Sequence, residues 1–325
     1  MTRSSATSVT APTAGRGTRS GAPPSGRTIV AIGGGKGGSG KTMLAAALGA
    51  GLARRGLGVV LVDCDLGGAN LHTLLGLEHP GATLSDFVLH RVEDLGALVT
   101  PTRTEGLGLI SGARNAFRMA NPLYQQKVRL ARAIRRLDAD LVVLDLGAGT
   151  HFNVVDFFLL AEAGVLVVVP EATSVENAYG FLKAAFMRYL RSVGGVEGLK
   201  EMVQAAVRSR DERPVSPAEL VQALSDMDPA TGEKVRRHIA GFRPLLVVNQ
   251  VREASERRLG EGMVAAVRRV FGVELGHLGT LGYDEDIMNA LRRRVPLSSQ
   301  ILGDAFATEL ERVIDGILDR RTVTA

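Results

Sequence analysis

The chain alternates short apolar runs with longer stretches of helical spacing. The short runs are TIVAIGG (28–34), GVVLVDCD (58–65), LGLIS (107–111), DLVVLDLGAG (140–149), GVLVVVP (164–170), PLLVVNQV (244–251) and VELGHLG (273–279). They are apolar throughout rather than alternating, which predicts strands covered on both faces. Between them, residues 43–56, 122–137, 174–192 and about 254–271 read as helices. Strands interleaved with helices predict an α/β fold, a doubly wound and mostly parallel sheet.

Two stretches break the rhythm. Residues 1–27 are rich in Ser, Thr, Gly, Ala and Pro and almost devoid of large apolar side chains. Such a segment buries too little surface to offset its ordering entropy, so a disordered basic arm is expected. Residues 194–243 separate a helix from the strand PLLVVNQV and read as a helical insert, with breaks at Pro214, Pro217 and Pro229. The insert balances eight acids against eight Lys and Arg. The span 28–325 is read as one domain, closing on a helix at about 304–321.

Composition narrows the class. At 325 residues, 45% apolar and 22% charged, the chain has the make-up of a soluble globular protein with a large core. A single cysteine, Cys64, excludes a disulfide framework and any CxxC metal site. No apolar run is long enough to cross a membrane, and the N-terminus lacks the apolar stretch of a secretory signal. A reducing, cytoplasmic setting is therefore expected. The net charge of +5 misleads, because Arg3, Arg16, Arg19 and Arg27 put +4 on the arm and leave +1 on the body. Bulk charge does not imply nucleic-acid binding.

The strongest chemical signal is Gly35-Lys36-Gly37-Gly38-Ser39-Gly40-Lys41-Thr42, which fits G-x-x-x-x-G-K-[ST] between a predicted strand and a predicted helix. Glycines let the backbone curl until successive N–H groups point at phosphate oxygens. The following helix adds the positive end of its dipole. Lys41 is expected at the β- and γ-phosphates, and Thr42 offers a hydroxyl to Mg²⁺. Two strands end in carboxylates: Asp63 and Asp65 after VVLV, and Asp145 after LVVL. In an open parallel sheet, ligands sit at such carboxyl ends. Four apolar residues followed by Asp145 is a Walker B pattern, so Asp145 is expected at Mg²⁺, with Asp63 near the metal's water shell.

The extra lysine, Lys36, makes KGGSGKT resemble the deviant Walker A motif of the MinD/ParA ATPases, most closely the MinD/FlhG group. The resemblance spans roughly 28–192 and 244–320. It implies ATP and Mg²⁺ as ligands and a homodimer with ATP sandwiched between subunits. In that arrangement Lys36 reaches the partner's phosphates. Asp65, in DCDLGGANL, orients the hydrolytic water, with Asn70 a further candidate in the same segment. Asn249 reads the adenine edge, since a carboxamide carries both a donor and an acceptor. The glycines after Asp145 resemble a γ-phosphate sensor. The loop VVVPEATSVENAYGFLK, with Pro170, Glu171 and Ser174, also matches the family but carries no assigned chemistry.

The chain departs from the family in three places. The arm has no DQAxxLR helix, which weighs against a GTPase-activating role. The last helix carries Phe306, Leu310, Val313, Ile314, Ile317 and Leu318 on one stripe but five acids against three arginines, which suits a core rather than anionic lipid. The insert at 194–243 lies outside the family's minimal domain. The expected function is an ATP-hydrolysing dimerisation switch that regulates the positioning or assembly of a cellular structure, with a protein partner met through 194–243 or the arm. The alternative is a ParA-type partition ATPase that binds DNA through arginine pairs such as Arg257-Arg258, Arg268-Arg269 and the run Arg292–Arg294. The expected location is the cytoplasm, with peripheral contact to nucleoid or membrane left open. Iron–sulfur carriers and bacterial tyrosine kinases are disfavoured by the lone cysteine and the four dispersed tyrosines.

Overall fold

A computed structural model describes residues 27–65, 68, 70–77, 81–112, 124–194, 201, 203, 216–297 and 302–324. The expectation of a disordered arm lies outside the described residues, as does most of the first half of the insert. Eight strands form one sheet: β1 (Thr28–Gly33), β2 (Val59–Asp63), β3 (Thr100–Pro101), β4 (Leu107–Ile110), β5 (Leu141–Asp145), β6 (Ala163–Val168), β7 (Leu245–Val251) and β8 (Gly276–Gly282). Their order is β3-β4-β2-β5-β1-β6-β7-β8, and every neighbouring pair is parallel except β3 with β4.

Both faces of the sheet are buried, which is why the strands read as continuous apolar runs. In β1, Ile29 and Ala31 enter one core while Val30 and Ile32 enter the other. The first core is covered by α3 (Leu84–Val88), α4 (Tyr124–Ile134), α5 (Phe152–Leu160), α6 (Ala172–Leu190), α7 (Pro217–Met227), α8 (Pro229–Ile239) and α9 (Leu259–Phe271). The second is covered by α1 (Lys41–Arg54), α2 (Leu71–Leu74), α10 (Glu285–Arg292) and α11 (Asp304–Thr324). Edge-to-face aromatic pairs, Phe158 with Phe181 at 5.0 Å and Phe186 with Phe271 at 5.9 Å, fill the first core.

The described part of the insert is a helical pair packed into that core. Leu220, Leu224, Val235 and Ile239 share it with Phe186 and Phe271. The prolines start these helices: each occupies the first turn, where no backbone N–H is needed. Ser216 and Glu219 close a capping box on α7, and Asp228 accepts from Ala230 and Thr231 N–H at the start of α8.

Two strand boundaries differ most from the sequence expectation. The run 140–149 leaves the sheet at Asp145, since Gly149 sits at φ 98°, outside any strand conformation. The last strand begins at Gly276 rather than Val273, because Val273 and Leu275 are spent in the core while the glycine-rich stretch beyond pairs with β7. Helix α5, the short α2 and α3 and the edge strand β3 carry too little periodicity to be read beforehand.

The apolar stripe of α11 is internal. Phe306, Leu310, Val313, Ile314 and Ile317 lie in the second core, while Arg55 from the end of α1 pairs with Glu311 and, at 2.7 Å, with Asp315 on its outer side. No helix among the described residues is long and apolar enough to cross a membrane.

Candidate functional site

The phosphate loop joins β1 to α1, where Gly40 forms the helix N-cap in the left-handed conformation, φ 87°. No side chain caps α1, so its leading N–H groups stay open toward an incoming anion. Close packing explains Gly35: a Cβ there would lie 2.1 Å from the Asn177 carbonyl oxygen of α6. At Gly40 a Cβ would lie 2.3 Å from Asn249 Nδ2.

Lys41 is buried and donates to the Lys36 carbonyl at 2.9 Å. Burial lowers its pKa, an effect offset in part by the charges of Asp145 and Asp65. Lys36 does the opposite. Its side chain is 37% exposed at the rim, and its ammonium donates to Glu171 Oε2 at 2.6 Å and Thr173 Oγ1 at 3.1 Å. Both partners come from the β6–α6 junction, which Ser174 closes by accepting from Val169 N–H at 3.1 Å.

The three carboxylates occupy different environments. Strands β2 and β5 are neighbours in register, which sets Asp63 beside Asp145. Asp63 accepts from Asp65 N–H and Leu71 N–H, each at 3.2 Å, and so ties down the loop between them. Burial pushes its pKa up to about 8, helped by the neighbouring Asp145 charge. Asp145 is equally buried, yet neither of its oxygens has a hydrogen-bond partner among the described residues. Burial pushes its pKa up to about 7; the Thr42 hydroxyl and Lys41 ammonium draw it back without closing a bond of ordinary geometry. Asp65 is half-exposed, accepts from Gly68 N–H at 3.1 Å, and lies where a Cβ on Gly147 would meet its Oδ1 at 3.1 Å.

A buried carboxylate with unused oxygens beside a threonine hydroxyl suits a hard divalent cation. Among the described residues no three His, Cys, Asp or Glu side chains cluster as a metal cage.

Gly37, Gly38, Lys41, Asp65, Asn70 and Asn249 line one cleft of about 420 Å³. A larger groove of about 730 Å³ between the segment Glu93–Gly96 and α4 holds none of the sequence-predicted residues. Asn249 donates through Nδ2 to the Ser39 carbonyl at 2.9 Å, while its Oδ1 is buried without a partner. The far wall of the cleft includes Tyr283, over whose ring the Arg252 guanidinium stacks at 3.6 Å.

The family signature described as CbiA, the CobQ/CobB/MinD/ParA nucleotide binding domain, matches residues 30–297. The chain belongs to the MinD/ParA nucleotide-binding family. It is 36% identical over 157 residues to the antiactivator FleN of Pseudomonas aeruginosa, covering 48% of this chain and 55% of that one. It is 31% identical over 176 residues to the septum site-determining protein MinD of Helicobacter pylori, covering 54% and 65%. The aligned part therefore spans little more than half the length of these relatives. Among solved structures, MinD of Pyrococcus horikoshii complexed with Mg-ADP superposes with a TM-score of 0.59 at 18% identity, covering 92% of this chain and 99% of that one. That likeness carries the doubly wound fold of the family to the whole described body.

Sequence reasoning missed the contacts that hold these MinD/ParA motifs in place. Glu171 and Thr173 grip Lys36 from 135 and 137 residues away. Gln250 donates to the Gly38 carbonyl at 3.2 Å. The match of the PEATS loop to the family was a signal for the first pair. Nothing in the sequence pointed to Gln250.

Proposed function

We propose that this chain is an ATP-driven dimerisation switch that controls where or when a cellular structure assembles. The observation that carries the reading is the placement of Lys36. Its ammonium stands at the rim of the cleft on side chains of another loop, free of its own phosphate loop. A lysine held there by an exposed ion pair exchanges partners at little cost, since such pairs contribute about 0–1 kcal/mol.

In the proposed cycle, Gly35 to Gly40 cradle the phosphates through backbone N–H groups, and Lys41 pairs with the β- and γ-phosphates of its own subunit. Lys36 leaves Glu171 and crosses to the partner's triphosphate, so the dimer closes only over ATP. Thr42 and Asp145 hold Mg²⁺, with Asp63 behind them, and the ion offsets phosphate charge. Asp65 orients a water in line with the γ-phosphorus. The new P–O bond forms as the bond to the β–γ bridging oxygen breaks, giving ADP and inorganic phosphate. The trans lysine neutralises the charge that develops, and its loss with the γ-phosphate lets the subunits part. Asn249 favours adenine over guanine.

The test is the size of the particle in solution. With ATP, Asp65→Ala accumulates as a dimer by light scattering, Lys36→Ala stays monomeric while retaining nucleotide, and Lys41→Ala loses nucleotide. Unchanged size in all three with ATP overturns the switch. DNA partition remains the second reading, because Arg292, Arg293 and Arg294 are exposed at the end of α10 without an ion pair among the described residues. Salt-sensitive retention of non-specific DNA by the Asp65→Ala dimer selects it. Docking on lipid through α11 has no support, because the stripe it needs is internal.

A further inference from the structure

The mouth of the phosphate loop lacks packing of its own. A Cβ on Gly37 or Gly38 would meet nothing within 4 Å, and Gly38 sits at φ 82°. Something else must set the curl of this stretch before nucleotide arrives. The end of β7 is built for that task. Its pairing with β8 slips register between Val248 and Val251, and Gln250 within the slip is held at φ 58°, one of three described non-glycine residues at positive φ. A glutamine kept in this conformation is strained, and such outliers persist where the surroundings over-determine them. The result is two carboxamides on adjacent residues reaching two adjacent carbonyls: Asn249 Nδ2 to Ser39 O at 2.9 Å and Gln250 Nε2 to Gly38 O at 3.2 Å.

In a trans peptide the C=O and the N–H of the next residue point in opposite directions. Turning the Gly38 and Ser39 carbonyls toward β7 therefore turns the Ser39 and Gly40 N–H groups away from it, into the concave side of the loop. We propose that Gln250 is a positioning residue for phosphate binding: with Asn249 it clamps consecutive loop carbonyls so that the anion-binding N–H groups are aligned in advance. The inference rests on the nucleotide reading above and adds a residue that lines the same cleft and hydrogen-bonds the loop itself. It also separates the two carboxamides. Asn249 keeps its Oδ1 and a second N–H for another partner, whereas the Gln250 amide serves the loop.

The test compares Gln250→Met, which keeps chain length but has no donor, with Gln250→Gly, which also relieves the backbone. Affinities for Mg-ADP and for adenosine are measured by calorimetry, and the unfolding midpoint without nucleotide is measured alongside. One neutral hydrogen bond predicts about 3- to 10-fold weaker ADP binding in both variants. Adenosine affinity should stay within twofold, as should the turnover number for ATP, so the loss falls on KM. Gln250→Gly should unfold no earlier than the parent, which separates alignment of the loop from general stability. ADP binding equal to the parent's in both variants overturns the proposal. So does a parallel loss of ADP and adenosine affinity. A parent that binds no Mg-ADP overturns the nucleotide reading instead, and the two failures are told apart by that first measurement.

Discussion

Removing the charge of Asp145 should stabilise the protein without nucleotide or metal, and the gain should grow with pH. Asp145 is buried, neither of its oxygens has a hydrogen-bond partner of ordinary geometry among the described residues, and burial pushes its pKa from 3.8 to about 7. A raised pKa means that the folded state binds the proton more tightly than the unfolded chain does. Stability is then full below pH 3.8, where both states are protonated, and falls as pH rises toward 7. Each unit in that window is worth about 1.4 kcal/mol, so the native carboxyl costs on the order of 4 kcal/mol at neutral pH. Asp145→Asn removes this cost and leaves a buried amide N–H that itself costs about 1–3 kcal/mol. The variant should therefore gain on the parent by roughly 2–3 kcal/mol between pH 5 and pH 7. Around pH 5 it should be no more stable than the parent, and near neutrality it should be more stable. Urea unfolding in the presence of a chelator reads this directly, provided the denaturant slope is unchanged. A stability difference that is flat across that range would refute the reasoning, because a packing effect has no reason to titrate. Mg-ADP should reverse the order, since the parent alone supplies a full charge to the cation.

Other consequences are simpler to read. Glu171→Ala frees Lys36 of a contact whose partners are 37% and 59% exposed, so the ATP-dependent dimer should form up to about fivefold more readily, by light scattering against protein concentration. Lower dimer yield than the parent would mean that Glu171 assists assembly. Ile314→Ala should cost about 2–4 kcal/mol by chemical unfolding, because Ile314 is fully buried against α1 at Gly51. A membrane-docking stripe would instead lose vesicle binding with stability intact.

Local motifs were legible because their chemistry is contiguous. The phosphate loop, Asp65 and Asp145 each sit where a strand ends, and the sheet delivers those ends to one edge. The parallel core was legible because strands buried on both faces leave an unbroken apolar record. What stayed hidden is long-range. The grip of Glu171 on Lys36 and that of Gln250 on Gly38 span 135 and 212 residues, and a single sequence carries no trace of such pairs. Asp63 shows the same limit, since a strand-end carboxylate reads alike whether or not it anchors a loop, and only the structure reveals the two backbone N–H groups on its oxygens. In the sequence Pro217 and Pro229 look like interruptions, and only the capping side chains beside them reveal that each opens a helix.

The helical pair 217–239 has a consequence for how this protein can be trimmed or diversified. Its inward residues share one aromatic-walled interior with Phe186, Phe242 and Phe271. Excising the pair to shorten the chain would bare those rings to water and invite aggregation. Novelty is affordable only on its outer side, where Met227 stands 52% exposed beside Asp226 and Gln222. Any change to the surface of the pair must therefore rewrite that outer skin and leave the inward residues alone.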